Sequence, residues 1–209
     1  TVALLGRRFD DAIEALFFRL TGVRPLGGDP QALWAVGPGR HLGRAVTLAD
    51  GTIVRPGDPI LEVHFRRQAL FPIFEQVEPA RFALAVAKLL KREMPLLDAY
   101  LDRDPRLAAV KAIHAITPFH EVAPHFGFEV HPLPTRLSRW WYTTWQRGIV
   151  RRTHPLGAAR LAGRNPLTSQ QVWMSRARLR ALWGPEGTLT RRWRLVHPAA
   201  AEPGEAPRP

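Results

Sequence analysis

The sequence predicts an α+β fold: a small mixed, largely antiparallel sheet with helices packed against it. Three observations predict it. Short runs alternate apolar and polar residues around glycine turns. Longer runs repeat their apolar residues every three or four positions. A hydrophobic fraction of 45 % in 209 residues is enough to bury a core. No internal repeat is visible, so residues 1–198 read as a single domain. The Pro/Ala/Glu-rich residues 199–209 are expected to be a disordered tail.

The elements follow in order. "RRFDDAIEALFFRLTG" (7–22) reads as an amphipathic helix, with Phe9, Ile13, Leu16, Phe17 and Leu20 on one face and Gly22 as its stop. "RPLGGDPQ" is a loop, and "ALWAV" (32–36) is a short strand. In "GRAVTLADGTIVRPGDPILEVHF", Val46 and Leu48 alternate, Asp50-Gly51 supplies a positive-φ turn, and Ile53 and Val54 return. Pro56-Gly57-Asp58 makes a second turn before a strand at 60–65, so a small antiparallel meander is expected. "EPARFALAVAKLLKREM" is a helix that Pro95 interrupts, with "LLDAYL" as a second piece. "DPRLAAVKAIHAI" reads as a third helix, capped by Asp104 with Pro105 behind it. "EVAPHFGFEVHP" gives a short helix, a stop at Gly127 and a strand at 128–131. After a Gly/Arg loop at 157–166, "QQVWM" is a strand, and Ser175 caps a last helix, "RARLRALW", ending at Gly184.

Composition excludes several function classes. There are no cysteines, so disulfides, zinc–thiolate sites and thiol catalysis are ruled out. That fits a reducing compartment. No apolar run approaches the roughly 20 residues that span a bilayer, and no secretory signal is visible.

The net charge of +12 is concentrated. Residues 1–132 hold 16 Lys+Arg and 15 Asp+Glu, whereas residues 133–200 hold 13 Arg and the single acid Glu186. Six of the seven tryptophans share that second segment. Its centre, "RLSRWWYTTWQRGIVRRTHP" (136–155), sets three tryptophans and a tyrosine among five arginines, within a basic Trp/Arg-rich stretch at 133–166. Trp141 and Trp145 are four apart and share a helical face. They are either core residues or half of a polyanion-binding surface. So many like charges repel one another and destabilise the compact state, which favours an external partner.

Smaller constellations are weaker. His120-Glu121 with His125 invites a zinc reading, but the histidines are five apart, about 500° around a helix, with Pro124 between them. No metal and no cofactor is expected, and His120 reads as a helix-start or core histidine. His64 shares its strand face with Glu62 and Arg66, where it is a candidate hydrogen-bond donor or general base. Asp50 and Asp58 are turn residues. "GPGRHLG" (37–43) follows a strand, but no helix follows it, so a nucleotide-binding loop is not supported.

The order of these motifs resembles a known family. "FRLTG", "LADGTIVRPGDPILEVHF", "MPLLDAYLDRDPR", "AITPFHEVAPHFGFEV" and "VWMSRARLRALWG" together look like the YkoP-like domain, over roughly residues 3–184. That bacterial module is found alone or attached to polysaccharide deacetylase domains. The resemblance implies a role beside cell-envelope glycan enzymes; with no secretory signal visible, the expected location is the bacterial cytoplasm or the cytoplasmic face of the membrane. A deacetylase domain would be a partner, and the deacetylase's own metal motifs are absent from this chain.

The expected function is therefore a non-catalytic accessory domain that docks on a polyanion, either an anionic lipid surface or a lipid-linked phosphate or glycan. The candidate ligand-binding residues are Arg139, Trp140, Trp141, Trp145, Arg147, Arg151, Arg152, Arg164 and Arg176. Tryptophan suits the headgroup level of a membrane and arginine pairs with phosphate. A nucleic acid is the alternative partner, since arginine follows its backbone and aromatics stack its bases. A third class is an enzyme with His64, His120 and Ser175 as the residues in a cleft. Whether the tryptophans of 136–155 are exposed or buried separates docking from packing.

Overall fold

The computed structural model describes residues 19, 21–66, 68–70, 73, 81–153 and 167–196. The helix expected at 7–22 lies almost wholly outside them, as do the loop at 157–166 and the tail from 199. In chain order the strands are β1 (Arg24–Pro25), β2 (Trp34–Arg40), β3 (Val46–Thr47), β4 (Ile53–Val54), β5 (Pro59–Phe65), β6 (Ala112–Thr117), β7 (Glu129–His131) and β8 (Gln170–Ser175). The helices are α1 (Phe82–Arg103), α2 (Arg136–Thr153), α3 (Arg176–Trp183) and α4 (Thr188–Val196). The main sheet runs β1-β2-β5-β6-β8-β7. Only β5–β6 is parallel; the other neighbours are antiparallel. The fold is α+β with a mixed, largely antiparallel sheet.

Period-two alternation gives this sheet two different faces. Leu61, Val63, Ile113, Val172 and Met174 point one way, into a core shared with Met94, Leu97 and Leu101 of α1 and with Leu179 and Trp183 of α3. The Trp183 indole N–H donates to the Phe126 carbonyl at 2.8 Å. Glu93 of α1 is buried and accepts the N–H groups of Leu33 and Trp34 at 2.7 and 3.1 Å, which pins the start of β2 to the helix. At the other end of α1, Arg180 pairs with Asp98 at 2.9 Å and with Asp102.

The expected meander is rearranged. β3 and β4 pair only with each other, and β5 pairs with β2 instead. The reason is a clasp below the hairpin: His41 N–H donates to the Asp58 carbonyl, and Gly57 N–H to the His41 carbonyl. The β3–β4 ribbon is thus an excursion between two paired strands. It folds over the second sheet face and buries Leu48 and Val54 on Ile60, Ala112 and Trp173. Its turn is the expected one, with Gly51 at φ 85° and Leu48 N–H closing on the Thr52 carbonyl at 2.9 Å. Gly51→Val should therefore destabilise the protein by more than about 1 kcal/mol through backbone strain. An unchanged urea midpoint would contradict that role for the turn.

Two other expectations are corrected. Pro95 does not split the helix, because α1 runs unbroken through it. Burial of Met94, Leu97 and Leu101 on either side outweighs the roughly 3 kcal/mol that an interior proline costs. The third helix is absent. The Asp104 cap is real, accepting the Arg106 N–H at 3.0 Å, but only a single turn follows at Pro105–Leu107. "AIHAIT" then forms β6, at the centre of the sheet. Helix α4 was not anticipated from the sequence.

Candidate functional site

Helix α2 starts at a reciprocal cap. Thr135 Oγ1 accepts the Ser138 N–H at 3.0 Å, and Ser138 Oγ accepts the Thr135 N–H at 3.2 Å. Its inner face is held to one end of strands β6 and β8 mostly by polar contacts. Gln146 Nε2 donates to the Ile116 carbonyl at 2.7 Å, Ser169 Oγ donates to Gln146 Oε1 at 2.6 Å, and Ser169 N–H donates to Thr143 Oγ1 at 3.0 Å. Val150 completes that face and is buried. The indoles are not part of it. Leu137, Trp141 and Trp145 recur at four-residue spacing with Trp140 alongside, and they are 73, 60, 47 and 61 % exposed respectively. Arg136, Arg139 and Arg151 are exposed on the same helix, which carries no acidic residue. The aromatic stripe is a surface, not a core.

The other candidates separate. Arg147 is half-buried, and its Nε–H donates to the Leu167 carbonyl at 2.9 Å. The side chain of Arg152, and Arg164 altogether, lie outside the described residues. Arg176 has an internal task, donating to the carbonyls of Leu101, Leu107 and Ala108 and to Asp102, which ties β8 to the end of α1. Ser175 is buried and caps α3 by accepting the Arg178 N–H at 2.9 Å, while its hydroxyl donates to Asp50. Four residues along β8 from Gln171 place it roughly 13 Å from that end of the strand, far from the row of His64. His120 lies off the sheet on a 3-10 turn, with Nδ1 buried. These three residues do not form one catalytic constellation. Among the described residues, no group of three or more His, Asp or Glu is placed to hold a metal.

A polar cluster that sequence reasoning missed occupies the second sheet face, beside the hairpin. The register aligns Glu62 of β5 with His114 of β6, His114 with Trp173 of β8, and Trp173 with Glu129 of β7. His64 Nε2 lies 3.8 Å from Glu62 Oε2, and this imidazole holds the Glu62 carboxyl below its ordinary pKa. The His114 ring tilts onto the Trp173 indole at 4.1 Å, and His41 meets that indole edge-on at 5.2 Å. Burial within the sheet pulls His114 down to about 4, so it is neutral at physiological pH. Its Nε2 lies 3.2 Å from Gln171 Oε1, and the Gln171 amide nitrogen donates to the Pro132 carbonyl. An amide oxygen only accepts, so the proton of neutral His114 sits on Nε2 and the lone pair on Nδ1.

"GPGRHLG" now has a physical role. A Cβ at Gly39 would lie 3.1 Å from Glu62 Cγ and 3.3 Å from its Cδ, and one at Gly43 would lie 2.8 Å from His41 Cε1. The two glycines let Glu62 lie across β2 and let His41 fold over Trp173. The signal that could have found the cluster was period-two alternation in "AIHAIT", which places His114 on the face of Ala112 and Ile116.

Comparison with known proteins agrees on the family. The chain is 24 % identical over 119 residues to "Uncharacterized protein YkoP" of Bacillus subtilis (strain 168). That match takes in 56 % of this chain and 65 % of the Bacillus protein, so the chain spans less than two thirds of that relative's length. No solved structure matches it. The YkoP domain model matches residues 7–183, across the hairpin, the sheet and α1 to α3, and the chain belongs to the YkoP domain family.

Proposed function

We propose that the protein is a non-catalytic accessory domain of bacterial cell-envelope glycan metabolism that docks through α2 on an anionic membrane surface or on a lipid-linked phosphate or glycan lying in it. The observation that supports this is the exposed stripe of Leu137, Trp140, Trp141 and Trp145 beside Arg136, Arg139 and Arg151. An indole is amphipathic and a guanidinium fork pairs with phosphate, which is the combination a headgroup layer accepts. Each basic residue near such a surface contributes about 1 kcal/mol. Leu137, like the exposed Leu195 and Val196 beside Arg191, Arg192 and Arg194 of α4, favours lipid over nucleic acid, because aliphatic side chains do not stack on bases. Among the described residues no helix is long and apolar enough to cross a membrane. The location that goes with this reading is the bacterial cytoplasm or the cytoplasmic face of the membrane, and a polysaccharide deacetylase domain is the protein partner it proposes.

Cosedimentation with vesicles tests it. Binding should appear with phosphatidylglycerol, be largely absent with phosphatidylcholine, and weaken steeply as salt rises from about 0.05 to about 0.5 M. Arg136, Arg139 and Arg151 together changed to Gln should lower affinity by about 100-fold, the loss of about 3 kcal/mol. Exposed charges add little to stability, so Tm should hold. Single-stranded RNA and DNA are run in the same buffers. Tight nucleic-acid binding without vesicle binding would replace the membrane reading by its alternative.

A further inference from the structure

The polar cluster on the second sheet face takes no part in the docking reading, and α2 carries none of its residues. We propose that the face formed by Glu62, His64 and His114 is a binding site for an uncharged, hydroxyl-bearing ligand of the sugar or polyol class.

The arrangement is more specific than a solvated polar face requires. Glu62 and His114 are direct cross-strand partners in the middle of the sheet, and His64 follows two residues along the same strand. Two glycines are needed to seat the side chains around them, one under Glu62 and one against His41. Gln171 fixes His114 in a single tautomer through a chain that ends on the Pro132 carbonyl. These contacts orient the groups, while the His64 and Glu62 side chains stay 34 and 41 % exposed.

That chemistry is rich in acceptors. An ionised Glu62 carboxylate only accepts hydrogen bonds, and the Nδ1 lone pair of His114 accepts one more. A complementary ligand must therefore bring donors. Hydroxyl groups do so, and each also accepts a bond in return, which suits the ring N–H that an imidazole such as His64 can offer. An ammonium group would bring donors too. However, burial outweighs the attraction of Glu62 at His114 and disfavours positive charge there, so the uncharged donor fits better. An anion is excluded by the same carboxylate, although the protein as a whole carries a net charge of +12.

Nitrogen-15 spectra of histidine-labelled full-length protein test this with N-acetylglucosamine, glucose and myo-inositol as probes. At least one probe, at up to about 50 mM, should shift the His64 and His114 ring signals saturably and leave His125 unmoved. Glu62→Gln replaces one acceptor by a donor and should weaken that binding about tenfold. Should Glu62→Gln fail to fold by circular dichroism, Gly39→Ala serves instead, since its Cβ displaces the Glu62 side chain without removing it. Either folded variant binding as the wild type does would overturn the proposal. So would the absence of any shift with all three probes, or a tighter response of the same signals to ethanolamine or to zinc. Vesicle binding is read separately, so failure here leaves the docking result standing, and the reverse also holds.

Discussion

Replacing Trp140 and Trp141 together with Ala is expected to weaken binding to anionic vesicles by about 30- to about 1000-fold, with folding stability held within about 1 kcal/mol. The binding loss follows from burial. A large apolar side chain moved from water into an apolar layer contributes about 1.5–3 kcal/mol, and an indole at the headgroup level recovers part of that, so the pair contributes about 2–4 kcal/mol. The stability half follows from exposure. Both indoles are about 60 % accessible in the folded chain, so their removal leaves no cavity. Trp183 is the internal control. It is 1 % exposed and its N–H is bonded to the Phe126 carbonyl, so Trp183→Ala should cost about 3–5 kcal/mol. Vesicle cosedimentation and urea unfolding on the three proteins separate the two roles. A Trp140/Trp141 variant that loses several kcal/mol of stability would make those residues core and remove the basis of the docking proposal.

Five of the six tryptophans of 133–200 show what the sequence could and could not reveal. Trp173 lies on a strand and Trp183 on a capped helix, and both are core. Trp140, Trp141 and Trp145 lie on a helix whose other face offers Thr143, Gln146 and Val150 to the sheet. Spacing alone placed Trp141 and Trp145 on one face, but it did not say which face met the protein. That choice was made by hydrogen bonds to the Ile116 carbonyl and to Ser169, long-range partners that no local pattern announces. Turns and caps were legible because their causes are local: Gly51 in its tight turn, Asp104 and Ser175 as caps, Gly127 as a stop. β6 was missed because genuine cap signals at Asp104-Pro105 were extended too far. "AIHAIT" is short and apolar enough to read as either period, and the parallel neighbour that makes it a strand lies some fifty residues upstream. With β6 went His114, and with His114 the sheet-face cluster. His64 and Glu62 were visible on one strand face, yet His114, Trp173 and His41 of the same cluster come from other segments of the chain.

Acid should expose His114 directly. Its folded pKa of about 4 lies below the ordinary value of 6.5, because burial disfavours the imidazolium more than Glu62 and Gln171 stabilise it. His41 and His64 oppose the positive charge further. The unfolded chain therefore binds a proton on this residue that the folded chain refuses over the window between pH 6.5 and about 4. Above 6.5 both states are neutral and His114 exacts no penalty. As pH falls through the window, stability drops by up to about 1.4 kcal/mol per unit, approaching about 3 kcal/mol at its lower end. Glu62 acts in the same direction with a lowered pKa of its own, so the wild-type profile mixes the two. His114→Gln removes the imidazole and keeps Glu62. The stability lost between pH 7 and pH 4.5, measured by urea unfolding, should therefore be about 2–3 kcal/mol smaller in the variant than in the wild type. Equal losses in the two proteins would mean that His114 titrates as it does in water, and the sheet face would then be too wet to hold the tautomer that the proposed ligand site requires.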